Sequence, residues 1–367
     1  MYRVQPAYDK VTGTMLRLSV VAIIAAVATQ LMAFGAELQS ASALAFGPAG
    51  ILFVGDSLAG AVIAIDTRDT TLAAASGEIE IAGIDGRVAE LLGTDASHIL
   101  INDVKVNPVS KNVYLAVSRG RGADASPVIL RLDGAGKMTE LELKDTVSSI
   151  ARLPNPPVSN AKAESRNPRL ETITQLAYVD GNVIVAGLSN EEFSSNLRVI
   201  PFPFRAVNSG TSIEIYHGSH GDYETQAPVR TFIPWKIGSE RYIVAAFTCT
   251  PLVLIRMNDL KPGAKVTGTT IAELGMGNRP LDMIAYRKDD HDFILLANSY
   301  RGVMKLPAEN LDRYTPITEQ EQIAGVPYKR ISALRGVWRL TRLDAARALV
   351  LADGEGGSLD LRSVMLP

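Results

Sequence analysis

His217 and His220 stand in the stretch His-Gly-Ser-His-Gly, two imidazoles flanked by glycines that let both turn toward one point. Cys249, the one cysteine among 367 residues, stands in Phe-Thr-Cys-Thr-Pro. Imidazole and thiolate are the ligands that borderline-soft transition metals prefer, so a Cys249/His217/His220 set fits copper or zinc. The competing reading is a buried, inert thiol beside two solvated loop histidines. A lone cysteine excludes an intrachain disulfide, so stability must come from burial and strand pairing.

A second group of residues carries oxygen and nitrogen donors at the ends of apolar runs: Asp56, Asn102, Asp103, Arg119, Arg230, Arg279, Asp282, Asn298 and Asp353. If their runs are strands that converge, these side chains ring one mouth and form the ligand site. Asp103, Asp282, Asn298 and Asp353 also suit a hard cation such as calcium. The competing reading is local turn hydrogen bonding, which Asp, Asn and Ser commonly provide at strand ends. No GxSxG elbow, no HExxH helix and no glycine-rich phosphate loop is present, so those chemistries have no support.

The elements that must position these residues recur. An apolar strand, a turn, a second apolar strand ending in small polar residues, and a third strand appear six times. The copies begin at Leu44, Val104, Leu176, Thr231, Met283 and Val337. Shorter β-prone stretches between them, at 78–84, 140–143, 212–216 and 269–274, are each expected to be the outer, fourth strand of a four-stranded blade. Gly47-Pro48, Asn107-Pro108, Asp180-Gly181 and Asp289-Asp290 supply the turns. No long helical period follows residue 36. The expected fold is all-β: a six-bladed β-propeller of four-stranded blades over 37–367, with an irregular Pro-rich insertion at about 149–169. The last copy stops after three strands, and residues 37–43 are expected to close the ring as its missing outer strand.

The first copy, Leu-Ala-Phe-Gly-Pro-Ala-Gly-Ile-Leu-Phe-Val-Gly-Asp-Ser followed by a third strand ending Ile65-Asp66, resembles a blade of the NHL, YVTN and SMP-30-type propellers. The resemblance implies that first strands line a central channel. It also implies that the loops after the second and fourth strands share one face. In lactonase-like members, Glu, Asn and Asp at the mouth hold a divalent ion; here no Glu opens the first copy, a departure from that pattern.

Arg17, the apolar run Leu18–Ala36 and small residues Ala33, Gly35 and Ala36 form the charged, apolar, small order of a secretory leader. Residues 1–36 are thus expected to be a signal peptide, with Met15 an alternative start, and the body to be periplasmic or secreted. No later run is long and apolar enough to span a membrane. Net charge is −2 without a basic run, which excludes nucleic acid as a partner. The expected function is an envelope binding or scaffold protein, monomeric, holding a small molecule or an envelope protein at the mouth. The alternative is a metal-dependent lactonase or hydrolase of the SMP-30 type.

Overall fold

The structure is a computed structural model and describes residues 38–367 except 74–76, 123–124, 145, 147, 160–166 and 250. The expected leader, and part of the 149–169 segment, lie outside the described residues.

Short apolar runs cannot bury both faces alone, so they pair into antiparallel meanders that then stack on one another. The chain opens with β1 (Ala43–Phe46), β2 (Ile51–Asp56) and β3 (Ala61–Asp66). A crossing segment leads to β4 (Glu80–Ile81) and the one α-helix among the described residues, α1 (Ile84–Leu92). Then come β5 (Ile99–Val106), β6 (Val113–Arg119), β7 (Ser126–Leu132), β8 (Met138–Glu140) and β9 (Ser148–Arg152). The next stretch holds β10 (Gln175–Val179), β11 (Asn182–Leu188), β12 (Ser195–Pro201), β13 (Thr211–His217) and β14 (Asp222–Glu224). It is followed by β15 (Val229–Ile237), β16 (Glu240–Phe247), β17 (Pro251–Arg256) and β18 (Lys265–Leu274). The chain ends with β19 (Pro280–Lys288), β20 (His291–Asn298), β21 (Gly302–Pro307), β22 (Ile323–Gly325), β23 (Lys329–Arg330), β24 (Val337–Arg342), β25 (Arg347–Asp353) and β26 (Leu359–Met365).

The architecture is all-β and propeller-like. Four sheets have four strands: β1-β2-β3-β9, β5-β6-β7-β8, β19-β20-β21-β23 and β24-β25-β26-β4. A fifth has ten strands, in which the meanders β10–β13 and β15–β18 are joined by parallel pairing of β13 with β18. The first strands neighbour one another in the order β5, β1, β10, β15, β19, β24 and back to β5. Central strands are buried on both faces, as in β6, where Val113 to Val117 are all buried, because each sheet is packed between two others. The hairpin turns follow their residues: Asp180 and Gly181 both have positive φ, as do Asp289 and Asp290, the backbone of a tight two-residue turn.

Three expectations about connectivity are corrected. The outer strand of the last sheet is β4, not residues 37–43: Ile81 pairs with Leu361 and Glu80 with Arg362. Residues 39 and 40 instead donate their amides to Asp56. The 78–84 stretch therefore serves the last sheet rather than the first, and its end turns into α1, capped on both sides by left-handed glycines Gly83 and Gly93. The first sheet is completed by β9, from within the expected irregular insertion. A two-residue strand carries no period of its own, so its partner is set by tertiary packing.

The crossing from β3 to β4 is tied down by Asp69. Its buried carboxylate accepts hydrogen bonds from Ser110 Oγ (2.7 Å), Asn112 Nδ2 (2.9 Å) and Tyr114 OH (2.9 Å), all on the β5–β6 hairpin side. Burial pushes that carboxyl up, but the three donors outweigh it and hold it below the usual range.

Candidate functional site

The first strands converge on a cavity of about 910 Å³. The local device that aims residues into it recurs in four strands. β5, β15, β19 and β24 each carry a β-bulge, between Ile101/Asp103, Val229/Thr231, Pro280/Asp282 and Val337/Arg339. The extra residue of each bulge, Asn102, Arg230, Leu281 or Trp338, lines the cavity. A bulge turns one side chain out of the alternation of its strand, which is how four unrelated residue types reach one mouth.

In β5 and β19 the residue after the bulge stitches the ring. Asp103 Oδ2 accepts from Leu44 N of β1 (2.8 Å), and Asp282 Oδ2 from Leu340 N of β24 (3.0 Å). Gln175 Oε1 accepts from Phe232 N of β15 (2.7 Å). Every second joint of the ring is thus closed by a buried side-chain acceptor that satisfies a neighbour's backbone amide.

Lys105, absent from the sequence expectations, occupies the floor. Its Nζ lies 2.8 Å from Asp103 Oδ1 and 3.6 Å from Asp282 Oδ2, with 17% of the side chain exposed. Burial works against its charge, yet the two carboxylates win and hold its pKa above the ordinary lysine value. Burial pushes the Asp282 carboxyl up, opposed by the Lys105 charge. Arg339 stands beside them, its Nε on Asn102 O at 2.7 Å. The lining holds five cationic side chains (Lys105, Arg121, Arg230, Arg279, Arg339) and five acidic ones (Asp85, Asp103, Glu171, Asp282, Asp353), so the mouth is charge-balanced. Trp338 and Leu281 add apolar wall.

The sequence-expected ligand residues divide accordingly. Asn102, Asp103, Arg230, Arg279, Asp282 and Asp353 line the mouth. Arg230 is fixed by Glu171 Oε1 (2.5 Å) and Thr248 Oγ1 (2.9 Å), and Asp353 accepts from Trp338 Nε1 (2.6 Å). Asp56, Arg119 and Asn298 are elsewhere. Asp56 is fully buried and caps the turn to Ala59 N as well as residues 39–40. Asn298 Nδ2 bonds Leu296 O and Gly302 O of its own hairpin. Arg119 is exposed at the end of β6. The four oxygen donors expected to suit calcium do not gather either: Lys105 stands between Asp103 and Asp282, Asn298 is held in its own hairpin away from the mouth, and Asp353 accepts from Trp338.

His217, His220 and Cys249 do come together. One ligand atom from each lies within 4.8 Å of the others, the one such group of three or more His, Cys, Asp and Glu donors among the described residues. The imidazole rings lie with centroids 3.9 Å apart, tilted by 34° to one another. Glu224 was not anticipated: its carboxylate reaches Nδ1 of His217 (2.9 Å) and of His220 (2.5 Å), and the contact with His217 leads those that lower its pKa. Glu273, fully buried beside them, accepts from Gly218 N at 2.7 Å, and burial pushes its carboxyl up to about 8.

No protein-family model and no curated relative matches the chain. Solved structures do. A glucose dehydrogenase is 12% identical over 90% of this chain and 97% of its own, with a TM-score of 0.38. The PQQ-bound aldose sugar dehydrogenase of Streptomyces coelicolor is 11% identical over 89% and 94%, TM-score 0.36. A member of the GH130 mannoside phosphorylase family is 9% identical over 80% and 94%, TM-score 0.35. Likeness this distant assigns no substrate or cofactor. None of these descriptions singles out the NHL or SMP-30 group. The expectation of a binding or scaffold protein is corrected by them: the similar structures are mainly enzymes, and a scaffold role has no support.

Proposed function

We propose that the chain is a six-bladed propeller enzyme, the ten-stranded sheet counting as two blades, that hydrolyses a small polar ester or lactone in the channel mouth. The observation that carries this reading is Lys105, an ammonium held between two buried carboxylates on the floor of a large open cavity. An ammonium has three N–H donors. Two face Asp103 and Asp282, and the partial exposure of the side chain leaves the third for a ligand oxygen. That is where negative charge develops when water adds to an ester carbonyl, and a fixed donor there lowers the barrier. Asp282, its carboxyl pushed up by burial, is placed to pass a proton between attacking water and leaving alcohol. The balanced charge of the walls suits a substrate that is polar without a large net charge.

The reading departs from the carboxylate-bound ion of lactonase-type propellers, since the ammonium takes the place between the acids. The test is hydrolysis of a panel of lactones and aryl esters by wild type and Lys105→Met, with folding checked by circular dichroism. Turnover that drops about 100-fold in the variant supports the assignment. Absence of turnover across the panel, or a variant as fast as wild type, refutes it. We further propose that residues 1–36 direct export, checked by the N-terminal sequence of mature protein recovered from the periplasm or medium.

A further inference from the structure

We infer that His217, His220 and Cys249 bind one transition-metal ion with imidazole and thiolate preference, zinc or copper, outside the mouth and independently of the hydrolase reading. Three features build the site. The donors lie within 4.8 Å of one another, and ligands at about 2.1 and 2.3 Å from a tetrahedral ion stand about 3.6 Å apart, so sub-ångström adjustments close the set. His217 is 2% exposed, and neither ring nitrogen makes a hydrogen bond: Nδ1 is met only by the charge of the Glu224 carboxylate, and Nε2 by nothing. A buried ring nitrogen in that state is an unmet acceptor, which an ion satisfies.

The third feature is Glu224. β14 folds back on β13 with Ile215 opposite Glu224 and His217 opposite Asp222, so His217 and Glu224 share one face. The carboxylate takes the Nδ1 side of both rings, which leaves both Nε2 atoms for the metal. A carboxylate behind a ligating histidine is the arrangement that fixes ring orientation and raises ligand basicity. Gly218 lets the strand end pass Glu273: a Cβ there would meet Glu273 Cγ at 2.9 Å. The thiol comes from a different meander. Cys249 sits in the β16–β17 turn at φ 64°, its amide bonded to Asn278 O at 2.8 Å. The ion would therefore join the β10–β14 and β15–β18 meanders. With three protein ligands and His220 still 43% exposed at its side chain, a fourth position stays open to water or an exogenous ligand.

The test is titration of chelator-treated full-length protein with Co(II), followed by displacement with Zn(II) and, in a separate arm, Cu(I). One equivalent with a sulfur-to-cobalt charge-transfer band, lost in Cys249→Ser, is the expected result. His220→Ala, half-exposed and so the safer variant for folding, weakens Co(II) binding about 100-fold or more, and Glu224→Gln by roughly 10- to 100-fold. Displacement by Zn(II) or by Cu(I) identifies which ion the site prefers. Failure of all three metals to bind at one equivalent, or binding indifferent to both Cys249→Ser and His220→Ala, overturns the inference. No substrate enters the assay, so its outcome is separate from that of the hydrolysis test.

Discussion

Replacing Lys105 with methionine removes a charge and keeps the side-chain length, which isolates what the ammonium does for the floor of the mouth. At an effective dielectric of about 20, contacts at 2.8 and 3.6 Å are each worth about 5 kcal/mol of attraction. Desolvation of three charges offsets most of that, so the intact cluster contributes little net stability. Taking away one partner is different, because two carboxylates that are 5% and 4% exposed stay buried and lose their counter-ion. Breaking a buried pair in this way costs about 3–5 kcal/mol, and the nearby Arg339 argues for the lower end, about 3 kcal/mol. The loss has a pH signature. In wild type the raised Lys105 pKa contributes stability that is complete below 10.5 and is lost only as pH rises through the higher folded value. In the variant the Asp282 carboxyl, already pushed up by burial, loses the Lys105 charge that opposes the rise, so destabilisation is full at pH 8 and shrinks on acidification toward pH 5. Urea unfolding at both pH values measures it, and Lys105→Met/Asp282→Asn recovers part of the loss. A variant as stable as wild type at pH 8, or a gap that does not narrow at pH 5, refutes the electrostatic account of the floor.

Other consequences are open to direct measurement. Asp69→Asn weakens the anchor of the crossing segment by about 2 kcal/mol at pH 7 in urea unfolding. Because the Asp69 pKa is lowered on folding, its contribution is present above pH 3.8 and fades as pH falls through the folded value, so variant and wild type converge in acid. Ile81→Pro removes the ladder donor of β4 opposite Leu361 and lowers the thermal midpoint, while the same change at exposed Leu72, outside any strand, leaves it near wild type. Gly187→Ala places a Cβ 2.0 Å from Thr172 O, a backbone atom that cannot swing away, and costs about 3 kcal/mol by thermal melting.

The strands of each meander were legible because local chemistry sets them. Runs such as Asn182–Leu188, preceded by turn residues with positive φ, need only their own neighbours to pair. What completes each sheet was not legible, because β4 and β9 are short and find partners far along the chain. α1 was hidden for a related reason: Ile84, Val88 and Leu92 mark a helical face, but nine residues do not outweigh the surrounding β pattern. At the mouth, Asp103 and Asp282 stood out as acids near strand starts, whereas Lys105 read as one charge in an apolar strand. Its signal was that position: a lysine between Val104 and Val106 in a first strand faces the channel and needs a partner there. Bulges leave no mark in a single sequence, so the roles of Trp338 and Arg339 were invisible. The His217/His220/Cys249 grouping was legible as residue types, but Glu224 and Glu273 join it only through strand pairing.

The placement of β4 also orders events during synthesis. Ile79 and Ser363, 284 residues apart, are bonded through the Ser363 hydroxyl, so the final sheet waits for a segment made near the start. Closing so long a loop costs about 5 kcal/mol of chain entropy, recovered only when the last sheet docks. An emerging chain therefore carries an unfilled slot until its C-terminus leaves the ribosome. A truncation that removes only β26 would strand α1 and β4 at the opposite end of the sequence, and damage at either terminus is felt at the other.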